Sequence, residues 1–101
     1  MDIKALRYVE AVARLGGFTR AAAEVHIAQP ALSIAIKKLE DELGVRLLIR
    51  QPRKVVVTRD GILLLGRARR IFQEVELLRH ELDPSAGLSR GELRVGLPPD
   101  F

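Results

Sequence analysis

The 101-residue chain contains no cysteine. That absence excludes a disulfide framework and any thiolate metal site. Its two histidines, His26 and His80, are too few and too far apart in sequence to suggest zinc. No uninterrupted apolar run is long enough to cross a bilayer, and the N-terminus, MDIKALRYVE, has neither a basic n-region nor an apolar h-region. A soluble, cytoplasmic protein is the expectation. Catalytic groupings are missing as well. No histidine, cysteine or paired carboxylates cluster at useful spacing, no glycine-rich phosphate loop follows a strand, and Ser33 has no candidate base nearby. Glu40, Asp41 and Glu42 read as a polar helix end. No catalytic residue and no metal ligand is assigned, and the chain is not expected to be an enzyme.

What the chain does have is positive charge in one place. The net charge is +4, and residues 1–57 carry ten Lys/Arg against six Asp/Glu, whereas residues 58–101 carry seven of each. The excess lies wholly in the N-terminal part, where it marks a footprint for an anion. Within it, Arg46, Arg50, Arg53 and Lys54 form a run with no acidic residue; taken alone, such a run is more often a solvated loop. A chain of this length holds one small core, which is marginal unless a partner covers part of its surface.

The pattern along the first 57 residues is helical and then extended. Asp2 can cap a first helix whose apolar residues Ile3, Leu6, Val9, Val12 and Ala13 follow helical spacing, and Gly16-Gly17 supplies a stop. Thr19 offers a second N-cap for a two-turn helix with a stripe of Ala21, Ala22 and Val25. His26 falls at the turn, where a tolerance for positive φ is a better explanation than chemistry. A third helix is expected from about Gln29 to Leu43, ended by Gly44, with Leu32, Ile36, Leu39 and Leu43 inward. Its opposite face carries Pro30, Ile34, Lys37 and Asp41, flanked by Ser33 and Lys38. That surface is small and partly apolar at its start and basic beyond, so it can approach bases while lysines meet phosphates. Residues 18–43 thus read as a helix-turn-helix. VRLLIR and VVVT, around the turn-like QPRK, read as two short strands of a wing at about 46–57.

From Thr58, a plausible cap, a long helix runs to Leu82. Leu64, Ala68, Ile71, Val75, Leu78 and Leu82 are spaced alternately four and three, and Leu65 and Phe72 broaden the stripe. So wide an apolar face on a helix beside so small a domain calls for a partner helix. Residues 83–91, DPSAGLSRG, read as a hinge, and ELRVGL alternates as a strand does. A lone strand at 92–101 makes the chain the expected front part of a longer polypeptide, cut just inside its next domain.

FTRAAAEVHIAQPALSIAIKKLEDELGVRLLIR, followed by VVVTRDG and a long helix, resembles the N-terminal domain of LysR-type transcriptional regulators from Asp2 to about Leu82. GELRVG is similar to the first strand of that family's effector-binding domain. The resemblance implies a mainly α fold with a small β-hairpin wing: a winged helix-turn-helix at 1–57 and a linker, or dimerisation, helix at 58–82. It implies a bacterial homodimer on double-stranded operator DNA, with a tetramer open for the full-length protein. The present segment would hold no cofactor, and a small-molecule effector would act on the missing domain. Carried over residue by residue, Gln29, Pro30 and Ser33 would face the major groove, Arg53 would reach the minor groove, and Lys37, Arg50 and Lys54 would meet phosphates. Thr19, Ile34 and Lys38 complete the DNA-facing set, and Leu64, Leu65, Ala68, Ile71, Phe72, Val75, Leu78 and Leu82 form the dimer seam.

Two positions depart from the family's pattern. Ala28 stands where Ser or Thr is usual, removing an N-cap that contributes about 1 kcal/mol. Ile34 stands where Arg or another polar residue is common, and can either lie against a thymine methyl or sit inert on the surface. The alternative to a DNA reader is an oligomerisation module whose basic surface is incidental.

Overall fold

The computed structural model of the protein describes residues 1–83. Six elements follow one another: α1 (Ile3–Leu15), α2 (Phe18–Val25), α3 (Gln29–Leu43), β1 (Leu48–Gln51), β2 (Lys54–Val57) and α4 (Arg59–Leu82). This is the expected winged helix-turn-helix followed by a long helix. Except for Asp83, the expected hinge at 83–91 and the strand at 92–101 lie outside the described residues. The chain divides into two compact units, Met1–Ala68 and a second beginning at Arg69.

In the first unit the helix ends follow their local chemistry. Asp2 caps α1 by accepting the Lys4 N–H at 2.9 Å, and Gly16 closes it at φ 76°. Thr19 does not cap α2. Gly17 is extended there and its carbonyl accepts the Ala21 N–H at 3.2 Å, so the helix starts two residues earlier and Thr19 falls inside its first turn. His26 ends α2 at φ 61°, as a turn residue should. Ala28 stands at the cap of α3 without a side-chain hydrogen bond, and Pro30 follows in the first turn, where its missing N–H costs nothing.

The core is formed by Leu6, Val9 and Val12 of α1, Ala21 and Ala22 of α2, Leu32, Ile36 and Leu39 of α3, and Leu47 and Leu48 at the start of the wing, all buried. Helix α1 packs on α2, α3 and β2, so it buries a broad arc that includes Ala5 and Ala11. Ile3 is instead 44% exposed. Spacing of three retreats about 60° per step at 100° per residue, and by Val12 the series 3, 6, 9, 12 has turned through half the helix. Leu43 lies in the arc of Leu32, Ile36 and Leu39 but at the last residue of α3, beyond the core, and it is exposed.

Tying α1 to α2, the Arg14 guanidinium is hydrogen-bonded to the carboxylates of both Glu10 and Glu24. The Glu24 hydrogen bond, then that of Glu10, raises the Arg14 pKa. Arg14 in turn holds Glu24 below the ordinary carboxylate value.

The wing is tighter than QPRK suggested. Gln51 pairs with Lys54, leaving a turn of Pro52 and Arg53 alone, and Leu48 pairs with Val57 at the other end. Thr58 then ties the hairpin to α4. Its N–H donates to the Leu47 carbonyl at 3.0 Å, its hydroxyl donates to the Arg46 carbonyl at 2.5 Å, and its Oγ1 accepts the Gly61 N–H at 3.0 Å. Gly61 is buried, and a methyl group there would overlap the Leu47 carbonyl oxygen and lie 2.8 Å from Val57 Cγ1. The threonine caps the helix, and the glycine lets the helix start lie against the strand.

In the part of α4 belonging to the first unit, Leu65 and Ala68 are buried within the single chain. Their apolar surface is consumed by the domain, which narrows the seam expected of that helix. Leu64 is half-buried. Ile62 and Leu63, outside the expected stripe, are 65% and 66% exposed. In the second unit, Ile71, Leu77, Leu78 and Leu82 are exposed while Phe72 and Val75 are half-buried.

Candidate nucleic-acid interface

The surface that could meet a nucleic acid is built from α3 and the wing. Three apolar residues, Leu32, Ile36 and Leu39, bury one side of α3. The 3.6-residue period therefore turns Pro30, Ile34, Lys37 and Lys38 outward, and all four are exposed. Ile34, at 69% exposure, is among the most exposed large apolar side chains of the first unit. Gln29 and Ser33 are half-buried on the flank, and Thr19 is exposed on the first turn of α2.

Among the described residues no packing accounts for the exposure of an isoleucine beside lysines at the front of α3. It suits a surface that meets something both apolar and anionic.

The wing places the cations differently from one another. Arg53 sits in the hairpin turn and Lys54 at its rim, both exposed. Arg50 lies between them and the core, on the same face of β1 as buried Leu48, because alternate strand residues share a face. That face looks onto α3. Arg50 Cζ stands 3.7 Å from the centre of the Phe18 ring, and Arg50 Nη2 donates to Ser33 Oγ at 3.2 Å. Neither partner, one on α2 and one on α3, follows from the sequence around Arg50.

Ser33, Lys37 and Arg50 line one open groove together with Phe18, Glu40 and Asp41. Gln29, Pro30, Ile34, Lys38, Thr19, Arg53 and Lys54 lie outside it. The acidic members of the groove have partners. Asp41 is 3.7 Å from Lys37 in an exposed i,i+4 pair, which contributes only a few tenths of a kcal/mol. Glu40 is different: its side chain is 12% exposed, and Oε2 accepts the backbone N–H groups of Leu47 at 2.7 Å and Leu48 at 3.2 Å, with Arg46 Nε at 3.8 Å. Rather than a solvated helix end, Glu40 is the tie that holds the start of the wing against α3.

Phe18 and Glu40 line this groove, and the sequence alone does not place either of them there. Phe18 carries no periodic signal at the start of a short helix. Glu40 is one of three consecutive acids, and nothing local separates it from Asp41 and Glu42. No group of three metal-ligating side chains occurs among the described residues, and among them no helix is long and apolar enough to cross a membrane.

Residues 3–62 match the family of bacterial regulatory helix-turn-helix proteins designated lysR. Among curated relatives, the chain is 44% identical over 99 residues to the hydrogen peroxide-inducible genes activator of Pectobacterium carotovorum subsp. carotovorum, covering 98% of this chain and 33% of that protein. It is 45% identical over 98 residues to the SDS degradation transcriptional activation protein of a Pseudomonas species, covering 97% of this chain and 32% of that protein. The chain thus spans about a third of the length of the curated relatives it matches. Among solved structures, the DNA-binding domain of BenM in complex with catB site 1 DNA superposes with a TM-score of 0.80 at 34% identity, covering 92% of this chain and all of that one.

Proposed function

This chain belongs to the LysR family of bacterial regulatory helix-turn-helix proteins, and from that premise we propose that it reads double-stranded operator DNA, α3 entering the major groove and the wing meeting the adjacent minor groove. The observation that carries the reading is the outward face of α3, where exposed Pro30 and Ile34 stand beside Lys37 and Lys38. The likeness to the BenM domain, which is solved on DNA, supports it. Gln29 can bridge an adenine edge, and Ile34 supplies an apolar contact suited to a thymine methyl. Arg53, at the hairpin turn, reaches the minor groove, while Lys37 and Lys54 neutralise phosphates.

The same reading makes the protein a homodimer joined through α4. The exposed Ile71, Leu78 and Leu82 form the open part of the seam. Two recognition helices then address half-sites separated by about 10 base pairs or a multiple. In the full-length protein a small-molecule effector acts through a domain outside this segment, and this segment itself holds no cofactor and catalyses nothing.

Gel-shift titration against random genomic fragments tests the reading. Replacing Arg53 or Lys37 with Ala lowers affinity on all sequences and reduces the slope of log K against log salt by about 0.9 for each phosphate no longer neutralised. Binding that is unchanged and insensitive to salt defeats the assignment. The competing reading, an oligomerisation module without specific DNA reading, rests on the exposed leucines of α4 and is what remains if no fragment is retained.

A further inference from the structure

We propose that Arg50 is not a phosphate ligand but a positioning residue that sets the base preference of Ser33, held in place by Phe18. The proposal rests on the DNA-reading function above. Phe18, Ser33 and Arg50 come from α2, α3 and β1, three different elements meeting at one point. The guanidinium lies over the Phe18 ring at 3.7 Å and points Nη2 at Ser33 Oγ, 3.2 Å away. A planar, delocalised cation can stack on an aromatic face and still donate from its edge; a lysine ammonium has no such plane.

The chemistry that follows concerns the hydroxyl of Ser33. Guanidinium is a donor only, so the Ser33 oxygen must accept. One lone pair is thereby occupied, and the hydroxyl proton remains to be given away. A fixed positive charge beside that oxygen also favours an approaching acceptor and opposes an approaching amino group. Ser33 alone could read either a donor or an acceptor in the groove. Paired with Arg50 it becomes a donor, selecting purine N7, guanine O6 or thymine O4 and rejecting the cytosine amino group.

The groove contains no acid that would take Arg50 away from this task. Glu40 is bonded to the wing backbone and Asp41 pairs with Lys37. Phe18 completes the arrangement by fixing the plane of the guanidinium, so its role is separable from charge.

The test uses the full 101-residue chain and a randomised duplex library, from which bound sequences are selected by the parent and by S33A, R50K, R50Q, F18L and the double variant S33A/R50K. Parent binding is measured first: if it retains no duplex, the DNA-reading function fails, and the positioning role falls with it. Given parent binding, R50K is expected to relax the preference at the same base pair as S33A by about tenfold. The double variant is expected to be no more relaxed than either single change. F18L, which keeps bulk and removes the π face, shifts the preference in the same direction. R50Q should leave the salt slope on a fixed duplex within about 0.3 of the parent, since Arg50 neutralises no phosphate. Circular dichroism melts of each variant establish that folding is retained; R50M, which also removes the charge, supplies the salt-slope comparison if R50Q melts early. A slope reduced by about 0.9 on every duplex, or relaxations by S33A and R50K that fall at different base pairs, overturns the proposal.

Discussion

Glu40 Oε2 accepts the Leu47 amide N–H at 2.7 Å, so a carboxylate on the recognition helix fixes the residue from which the wing departs. The same oxygen takes the Leu48 N–H at 3.2 Å. A charged acceptor serving two partly buried donors contributes about 2 kcal/mol, and removing it leaves those donors without their acceptor. Glu40→Ala is expected to lower stability by about that amount in a urea titration. Glu40→Gln, which keeps a carbonyl oxygen, is expected to lose less than half as much. Equal losses would show that negative charge rather than hydrogen bonding holds the junction.

Gly61 and Gly66 lie five residues apart on α4 and predict opposite outcomes. A methyl group at Gly61 meets the Leu47 backbone and Val57, neither of which can withdraw freely, so Gly61→Ala should destabilise by about 1–3 kcal/mol. Nothing lies within 4 Å of the methyl position at Gly66, and Gly66→Ala should stabilise by about 0.5–1 kcal/mol through helix propensity. Thermal melts of the two variants side by side check the sign of each.

The recognition helix begins without a side-chain cap. Ala28 has the extended backbone of an N-cap residue, φ −69° and ψ 144°, and its carbonyl already accepts the Leu32 N–H. Ala28→Ser should therefore stabilise the domain by about 1 kcal/mol, raising Tm by about 4–8 °C. Because Pro30 has no N–H, the new hydroxyl must bond to the Ala31 amide, and slower hydrogen exchange at Ala31 is the local signature.

The Glu24 carboxyl is held low by its hydrogen bond with Arg14. A carboxylate whose folded pKa is depressed contributes stability above its unfolded value, and that contribution is lost as pH falls through the folded one. Arg14→Ala should return the Glu24 titration, followed by carboxyl carbon NMR, upward toward the ordinary range. It should also flatten the acid side of the stability profile. An unmoved Glu24 titration would contradict the assigned cause.

On α4 the exposed residues Ile71 and Leu78 belong to the proposed seam. Replacing both with Glu is expected to raise the homodimer dissociation constant at least about tenfold, measured by sedimentation equilibrium. A dimer as tight as the parent would move the seam elsewhere on the helix, with Ile62 and Leu63 the next residues to replace.

The elements of this fold were legible because their signals are local. Asp2, Gly16, His26, Gly44 and Thr58 each mark a boundary through backbone geometry or a cap within a few residues, and the spacing of Leu32, Ile36 and Leu39 names the inward face of α3. The errors arose where burial depends on what lies opposite. Ile3 shares a spacing with Val9 but not a face, and Thr19 yielded the cap to Gly17; Leu65 and Ala68 fit the helical stripe and are buried within the single chain. For the candidate interface, the exposed residues of α3 and the hairpin turn followed from periodicity, and the groove did not.

By itself the sequence determined that this protein is a winged helix-turn-helix with a long apolar-striped helix, since propensity, capping and hydrophobic period act over one or two turns of chain. Only the tertiary structure decided that Arg50 lies on Phe18 and bonds to Ser33, seventeen residues away, and that Glu40 anchors the wing. Those relationships depend on where the β1 register and the packing of α3 bring separate segments, and that is fixed by the whole core at once rather than by any stretch of residues within it.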